Sequence, residues 1–253
     1  MPDTLEIHSL VVWLIFGMAA VTFVMVVFIT APYGRHMSEG WGPSLPARAG
    51  WILMETPPVL VFFGFYSMGQ FRAETVPLIF LFLWQSHYIY RAYVFPFKTR
   101  HSGKEMPVLV LLLAVIFNSL NAYINARWIS HFGQYSMDWL TDPRFIIGVV
   151  VFFSGMFINR QSDNILINLR KPGESGYKIP KGGLYRFVSC PNYLGELLEW
   201  LGWAIATWAL AGLAFAIYTA ANLAPRAVTN HKWYQDKFPD YPEKRRALIP
   251  FVI

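Results

Sequence analysis

Charge is the scarcest feature of this 253-residue chain: Asp, Glu, Lys and Arg make up only 14% of it, and hydrophobic residues 55%. A soluble domain of this size usually carries about 25% charged residues, so too few remain here to cover a surface that faces water. The run 9–30 contains no charged residue, and about 20 apolar residues suffice to span a bilayer. The composition therefore excludes an ordinary soluble protein and predicts an integral membrane protein.

Cysteine is nearly absent too, since Cys190 is the only one. One cysteine excludes an internal disulfide and any cysteine-cluster metal site. His231 has no second histidine at ligand spacing, so we predict no bound metal. The chain also lacks G-x-G-x-x-G, G-x-x-x-x-G-K-[ST] and H-E-x-x-H, so a nucleotide cofactor, if present, is not held by a Rossmann fold.

The N-terminus lacks the positive charge of a secretory signal, because MPDTLEIH contains two acidic residues and neither Lys nor Arg. No small-residue cleavage site follows the first apolar run, and Ala31-Pro32-Tyr33 is typical of a helix exit. We therefore interpret the run as a first membrane span.

Seven apolar runs are candidate membrane helices; they lie near 9–30, 51–70, 75–95, 107–126, 144–160, 194–210 and 212–224. The last two are nearly contiguous, which predicts a helical hairpin. Of the 21 Lys and Arg residues, 17 fall on one side of this arrangement and three on the other. The positive-inside rule then places the C-terminus in the cytoplasm and the N-terminus outside, in a bacterial inner membrane or the endoplasmic reticulum. We predict one all-α, multi-pass domain over 1–253.

Net charge is +6, and the basic residues flank the predicted spans. We attribute this charge to topology and predict no nucleic-acid partner. Two non-membrane pieces lie on the cytoplasmic side, the loop 160–193 and the tail 226–253. Both are basic, and the loop holds many apolar residues, so a binding loop is a better interpretation than a disordered one. A soluble, phosphate-bearing cofactor would dock there.

Ionisable residues within predicted spans are costly and therefore candidate functional residues. Glu55 lies four residues into the second run, and His87, Tyr88 and Arg91 lie on the third. A protonated Glu55 could donate a hydrogen bond to a carbonyl oxygen; the alternative is an interfacial Glu that reaches water. For Tyr88 the alternative is an aromatic residue of the membrane–water interface.

Two polar stripes follow. Asn159, Asp163 and Arg170 are spaced four and seven residues apart, so a continuing helix places them on one face. Such a stripe suits the amide, ribose or phosphate groups of a nucleotide, although a solvated helix face would look similar. The second stripe stands at the mouth of the sixth run and consists of Asn192, Glu196 and Glu199.

Taken together, these segments resemble the steroid 5α-reductase family. The matching stretches are Trp51 to Glu55, His87-Tyr88, DWLTDPRFIIG at 138–148, the segment 155–203 and RRALIPFVI at 245–253. The resemblance implies seven spans, NADPH as the hydride donor, and reduction of 3-keto-Δ4 steroids at C5. It also implies that residues 105–253 carry most of the cofactor site.

The resemblance assigns Glu55 and Tyr88 as the catalytic pair that holds the substrate ketone. It assigns the cofactor site to Trp51, Arg91, Asn159, Asp163, Arg170, Tyr177, Asn192, Glu196, Arg226, His231 and Tyr234. Two stretches depart from the family pattern. Residues 229–231 read Thr-Asn-His where family members often have a run of His, and TRHSGKEM at 99–106 leaves open whether Arg100 or Lys104 meets phosphate.

Two other functions remain open at the level of the sequence. A membrane methyltransferase of the isoprenylcysteine type would bind S-adenosylmethionine and leave Glu55 and Tyr88 without a role. A seven-span transporter or receptor would have short loops instead of the segment 160–193. We predict a monomer that contacts membrane lipid and a steroid-like substrate.

Overall fold

The computed structural model describes residues 4–30, 36, 40–99, 104–170, 174 and 176–253. Within them, seven helices have 15 residues or more: α1 Leu5–Phe28, α2 Ala47–Ser67, α3 Thr75–Ile89, α5 Val108–Arg127, α6 Pro143–Ile167, α7 Pro191–Thr207 and α8 Leu210–Lys237. The short elements are the helix α4 Phe95–Lys98, two π-helical turns at Tyr90–Val94 and Trp128–Phe132, and two 3-10 turns at Met137–Thr141 and Gly183–Arg186.

Each predicted span coincides with one of the seven long helices. Four segments are long and apolar enough to cross a bilayer: Leu5–Phe28, Ala47–Ser67, Val108–Phe132 and Pro143–Ile167. The other three long helices are too short or too polar to meet this requirement. α3 gives way to a π-helical turn after 15 residues, α7 begins with a polar stripe, and α8 continues into a charged segment.

The fold is mostly helical, in keeping with the predicted all-α class, and it contains one short antiparallel pair: β1 Ser44–Pro46 lies beside β2 Glu105–Pro107 and joins the starts of α2 and α5. The structure corrects two sequence-based predictions. The helix face predicted to carry Asn159, Asp163 and Arg170 does not include Arg170, because α6 ends at Ile167. The predicted tail 226–253 is helical over its first part, since α8 runs on to Lys237. The exit at Ala31-Pro32-Tyr33 and Arg100 lie outside the described residues. The predicted hairpin of the last two helices is present: Trp208, with φ of 47°, ends α7, and α8 begins two residues later.

Tight contact between α6 and α7 sets the position of both polar stripes. A Cβ placed on Gly155 of α6 would lie 2.3 Å from the backbone nitrogen of Glu199, and one on Gly195 of α7 would lie 2.4 Å from that of Asn159. Only glycine allows such backbone contact, as is common where membrane helices pack. The stripe on α6 therefore faces the stripe on α7.

A proline in α2 leaves one backbone carbonyl without its helical hydrogen bond, and a side chain of a neighbouring helix donates to that carbonyl instead. Pro58 has no N–H for the carbonyl of Met54, four residues earlier. The side-chain amide of Asn118 on α5 donates to that oxygen at 2.7 Å. The indole of Trp84 on α3 donates to the carbonyl of Pro58 at 2.9 Å. These bonds fix the helical turn that carries Glu55 against α3 and α5.

An aromatic core lies beneath this turn. Trp84 stacks on Phe62 with ring centroids 4.4 Å apart and lies 5.2 Å from Trp203 and 5.5 Å from Trp200. All four rings are buried. Because these large rings pack at fixed distances, they form a rigid support for the neighbouring polar side chains.

The C-terminal segment docks beside the start of α7 through its backbone. Val188 and Arg246 form a parallel bridge, the N–H of Ser189 donates to the carbonyl of Arg246 at 2.8 Å, and that of Cys190 to Ala247 at 3.1 Å. Cys190, Ala247 and Leu248 form a small buried cluster with Ala227 of α8. The end of the chain is thereby fastened next to the two polar stripes.

Candidate functional site

Four carboxylates converge where α2, α3, α6 and α7 meet. We call this group the carboxylate cluster and define it as Glu55, His87, Tyr88, Arg91, Asp163, Glu196 and Glu199. Electrostatic interaction links Glu55 with Arg91, Glu196 and His87, and links Tyr88 with Glu55 and Glu199. Both predicted catalytic residues therefore belong to one site, together with predicted cofactor-binding residues.

Arg91 organises one side of the cluster. Its Nη1 donates to Oδ2 of Asp163 at 3.2 Å, and its guanidinium lies 4.8 Å from the ring centroid of Trp51 and 4.5 Å from that of Phe95. The indole of Trp51 donates to the backbone oxygen of Arg91 at 3.1 Å. Arg91 belongs to the π-helical turn that follows α3, and such turns are frequent at functional sites.

The two polar stripes close this network. Oδ1 of Asp163 accepts a hydrogen bond from the side-chain amide of Asn192 at 3.2 Å, and Asn159 donates to the backbone oxygen of Asn192 at 3.0 Å. Trp51, Arg91, Asn159, Asp163 and Asn192 were all predicted as cofactor-binding residues, and the structure brings these five side chains together.

Three side chains of the cluster have polar groups that are available to a ligand. Within the described part of the chain, the side chains of Glu55, Tyr88 and Glu196 make no hydrogen bond, and Tyr88 is only 4% exposed. The ring of Tyr88 is fixed by Trp200, whose centroid lies 5.5 Å away in a stacked arrangement. A tyrosine that is fixed in this way and has no protein partner for its hydroxyl can donate a hydrogen bond to a ligand. The arrangement therefore suits a ligand that supplies the missing acceptor.

His87 and Glu199 form a buried pair that the sequence-based assignment did not include. Nδ1 of His87 lies 2.7 Å from Oε1 of Glu199, and the two side chains are 5% and 0% exposed. Oε2 of Glu199 is also buried and has no hydrogen-bond partner among the described residues. The sequence signals were present, since His87 precedes Tyr88 and Glu199 shares a stripe with Glu196, but nothing in them pairs α3 with α7.

The remaining predicted cofactor residues lie on α8 and in the loop before α7. We call them the second group and define it as Arg170, Tyr177, Arg226, His231 and Tyr234. Arg170 donates to the backbone oxygen of Gly176 at 3.0 Å, and Tyr177 packs edge-on against Trp233 at 4.8 Å. The guanidinium of Arg226 lies 5.7 Å from the ring of Tyr193. Tyr193 follows Asn192 directly, so α7 contributes to both groups.

His231 lies in a hydrogen-bonded arrangement that holds the C-terminal segment. We call it the tail junction and define it as Ser189, His231, Tyr241 and Arg246. Oγ of Ser189 is 2.6 Å from Nδ1 of His231, 2.7 Å from the hydroxyl of Tyr241 and 3.2 Å from the carbonyl of Arg246. Burial, together with Arg246 and Arg245, lowers the pKa of His231. The predicted Tyr234 stacks on Tyr241 at 5.3 Å.

Arg245 was also missed from the sequence. Its Nη2 donates to the carbonyl of Pro180 at 2.9 Å, and its guanidinium lies 5.2 Å from the ring of Tyr241. Nε and Nη1 are buried without a hydrogen-bond partner in the part of the chain that the structure describes. Arg245 is therefore a further cation beside the second group.

An open groove of about 650 Å³ runs along the outer face of α6, away from the cluster. It is lined by Phe153, Met156, Phe157, Arg160, Gln161, Asn164, Ile165 and Asn168. None of the predicted site residues lines this groove. Among the described residues, no three His, Cys, Asp or Glu side chains are arranged to hold a metal ion.

Comparison with known proteins gives a consistent result. Residues 104–253 match the family model described as 3-oxo-5-alpha-steroid 4-dehydrogenase. The chain is 44% identical over 241 residues to 3-oxo-5-alpha-steroid 4-dehydrogenase 1 of Bos taurus, covering 94% of this chain and 93% of that protein. It is 44% identical over 253 residues to steroid 5-alpha-reductase DET2 of Solanum lycopersicum, covering 98% and 97%. The human 3-oxo-5-alpha-steroid 4-dehydrogenase 1 is 44% identical over 222 residues, covering 87% and 85%.

Proposed function

This chain belongs to the 3-oxo-5-alpha-steroid 4-dehydrogenase family, and we propose that it reduces the Δ4 double bond of a 3-keto-Δ4 steroid with NADPH. Membership makes the chain an oxidoreductase that acts on a CH–CH group. The observation that carries the finer proposal is the buried side chain of Tyr88, whose hydroxyl makes no hydrogen bond among the described residues and which interacts electrostatically with Glu55.

The chemistry explains why such a hydroxyl is useful. Addition of hydride to C5 of the enone moves the π electrons towards C3 and places negative charge on the ketone oxygen. A positioned donor at that oxygen stabilises the transition state, and one such donor is typically worth about 10²–10³ in rate. Tyr88 is the donor in our proposal, and a protonated Glu55 holds the same oxygen from α2.

NADPH supplies the hydride when it is bound, and the residues present fit such a cofactor. The free carboxylate of Glu196 can accept a hydrogen bond from a carboxamide N–H, and it lies in the same cluster as Asp163. Arg170, Arg226 and the aromatic side chains around Tyr177 offer the cations and flat surfaces that phosphates and an adenine ring require. We assign the nicotinamide end to the carboxylate cluster and the phosphate end to the second group.

The proposal includes seven spans with a cytoplasmic C-terminus. The support is the coincidence of seven apolar runs with seven long helices and the unequal sorting of Lys and Arg. This orientation gives a soluble cofactor access to the second group and gives a steroid access from lipid. A reporter fused at Ile253 should be active only in a cytoplasmic assay, and activity on the opposite side would contradict the orientation.

The direct test uses the purified chain in detergent or nanodiscs with NADPH and progesterone or testosterone. We expect oxidation of one NADPH for each steroid that gains two hydrogen atoms, with no oxidation when the steroid is already 5α-reduced. S-adenosylmethionine serves as the comparison ligand, because a methyltransferase would bind it and ignore NADPH. Saturable binding of S-adenosylmethionine without binding of NADPH would overturn the proposal. Family membership leaves neither a methyltransferase nor a transporter with a supporting observation.

A further inference from the structure

The His87–Glu199 pair has no role in the proposed chemistry described so far. It joins α3 to α7 across 112 residues of sequence, at 2.7 Å and with both side chains almost completely buried. Replacing a buried ion pair with well-packed apolar residues is often neutral or stabilising, so such a pair is weak evidence for a stabilising role. Its position next to Tyr88 offers another explanation.

The geometry orients the histidine. Glu199 occupies Nδ1, which leaves Nε2 as the ring nitrogen that can exchange a proton with a third group. The ring centroid of His87 lies 4.9 Å from that of Tyr88 and 4.7 Å from that of Trp200, edge-on in both cases. Trp200 also stacks on Tyr88, so the two rings share one support.

The charged and titratable groups that face the pair come from every element of the cluster. They are Glu55 on α2, Tyr88 on α3, Arg91 on the π-helical turn, Asp163 on α6 and Glu196 on α7. Glu55 and Asp163 both interact electrostatically with His87. A positive imidazolium would therefore face carboxylates on several sides, and Oε2 of Glu199 has unused acceptor capacity.

Reduction of an enone consumes one hydride and one proton, so a new proton must reach Tyr88 in every turnover. When the enolate oxygen takes the proton of Tyr88, the phenol O–H bond breaks and a phenolate remains. We propose that the His87–Glu199 pair restores Tyr88: Glu199 stabilises the imidazolium, the Nε2–H bond breaks as its proton passes to a water molecule, and that water gives a proton to the phenolate, so that the phenol O–H bond forms again. The water is part of the proposal because the rings of His87 and Tyr88 are in contact without a direct hydrogen bond. The enol then becomes the ketone by moving its proton from oxygen to carbon.

The balance requires one proton from water in each turnover. The substrate gains the hydride and the proton, NADPH is oxidised, and His87 ends the cycle neutral until it takes a proton from water. In this role His87 acts through Tyr88 and is a proton-relay residue. The inference rests on the proposed reduction of a steroid enone.

The test separates the first turnover from the following ones. Tyr88 already carries its proton when the first substrate binds, so His87→Gln should leave the first hydride transfer within about threefold of wild type. Steady-state turnover should fall by about 100-fold, the low end of the range for a general acid–base group. Rapid mixing should then show a burst of NADPH oxidation that equals the enzyme concentration. The slow phase should speed up as the pH falls, because protons from water replace the relay.

Glu199→Gln should show the same burst with a smaller loss, since the amide can still hold His87. The matched control is His8→Gln, because His8 is another buried histidine, 2% exposed, whose Nε2 bonds to the carbonyl of Ile124. NADPH binding and thermal unfolding are measured for each variant to confirm the fold. If His87→Gln does not fold, Glu199→Gln is judged by the same criteria.

Two results would overturn the relay. Equal losses in the first and later turnovers would mean that His87 only positions the ring of Tyr88, and wild-type behaviour in both would mean that it does nothing for the reaction. If wild type and His8→Gln both fail to reduce the steroid, the proposed function falls and the relay falls with it. If both reduce it and no burst appears in either relay variant, only the relay falls.

Discussion

The carboxylate cluster and the tail junction are both built from polar side chains, yet they use their hydrogen-bonding groups differently. In the tail junction, Oγ of Ser189 contacts three partners within 3.2 Å, and the backbone of the same segment pairs with the C-terminal segment. In the cluster, Glu55, Tyr88 and Glu196 make no side-chain hydrogen bond among the described residues.

This difference indicates different roles. Buried polar groups in proteins are nearly always paired, so a saturated network such as the tail junction is explained by its contribution to structure. Polar groups of a largely enclosed site that stay unpaired, such as Oε2 of Glu199, need another explanation, and a ligand or a proton in transit supplies one. We therefore expect substitutions in the cluster to change the reaction and those in the tail junction to change stability.

The largest expected effect is that of Tyr88→Phe in the cluster. Phe keeps the ring that stacks on Trp200, so the fold and NADPH binding should survive, while single-turnover reduction of progesterone at saturating NADPH should fall by about 10²–10³. Tyr66→Phe is the matched control, because it removes another buried hydroxyl, one that bonds to the backbone of Arg72. A near-wild-type rate for Tyr88→Phe would remove Tyr88 from the mechanism.

The pair Glu55→Gln and Glu55→Ala tests how the second catalytic residue acts. If Glu55 works as a neutral hydrogen-bond donor, the amide of Gln can replace it, so the rate should fall about tenfold for Gln and about 100-fold for Ala. Single-turnover rates at saturating NADPH measure both. Equal losses would instead show that Glu55 works as an ionised base, which contradicts the proposed role.

Arg170→Ala tests whether the second group binds the cofactor. Loss of a charge-assisted hydrogen bond costs roughly 1.5–3 kcal/mol, so the KM for NADPH should rise about tenfold or more at a similar kcat. Arg170 also bonds to the carbonyl of Gly176, so the variant needs a control for the loss of an arginine from this loop. The control is Arg186→Ala, which removes an exposed arginine of the same loop. An unchanged KM for Arg170→Ala would separate this group from the cofactor.

The smallest effect concerns the tail junction and pH. Burial, with Arg246 and Arg245 nearby, lowers the pKa of His231, so the folded chain favours the neutral imidazole and the unfolded chain binds the proton more readily. The contribution to stability is therefore fully present above the unfolded pKa of about 6.5, and it declines as the pH falls through that value towards the lower folded pKa.

Limited proteolysis of the C-terminal segment between about pH 7.5 and pH 5 measures this effect. Cleavage should accelerate at the lower pH in wild type and in His8→Gln, and this dependence should be weaker in His231→Gln. A first-turnover reduction rate that falls with His231→Gln as strongly as with Tyr88→Phe would erase the distinction between the two regions.

Much of this molecule could be predicted from the sequence, because the relevant signals are local. Apolar runs long enough for a bilayer marked the helices, and the spacing of Asn159, Asp163, Asn192 and Glu196 placed each pair on one helix face. The cost of charge in a membrane drew attention to Glu55 and Arg91. Local periodicity predicts which residues share a face, and it did so correctly for Asn159 with Asp163 and for the stripe on α7; it was wrong for Arg170, because α6 ends at Ile167.

The tertiary structure decided which faces meet. The contacts of Gly155 and Gly195 bring α6 against α7, and the Arg91–Asp163 and His87–Glu199 pairs join residues 72 and 112 positions apart. The π-helical turn at Tyr90–Val94 and the docking of the C-terminal segment at Ser189 are likewise absent from any local pattern. Helix periodicity leaves the rotation and partner of each helix undetermined, and here close packing and the pairing of buried polar groups fixed both.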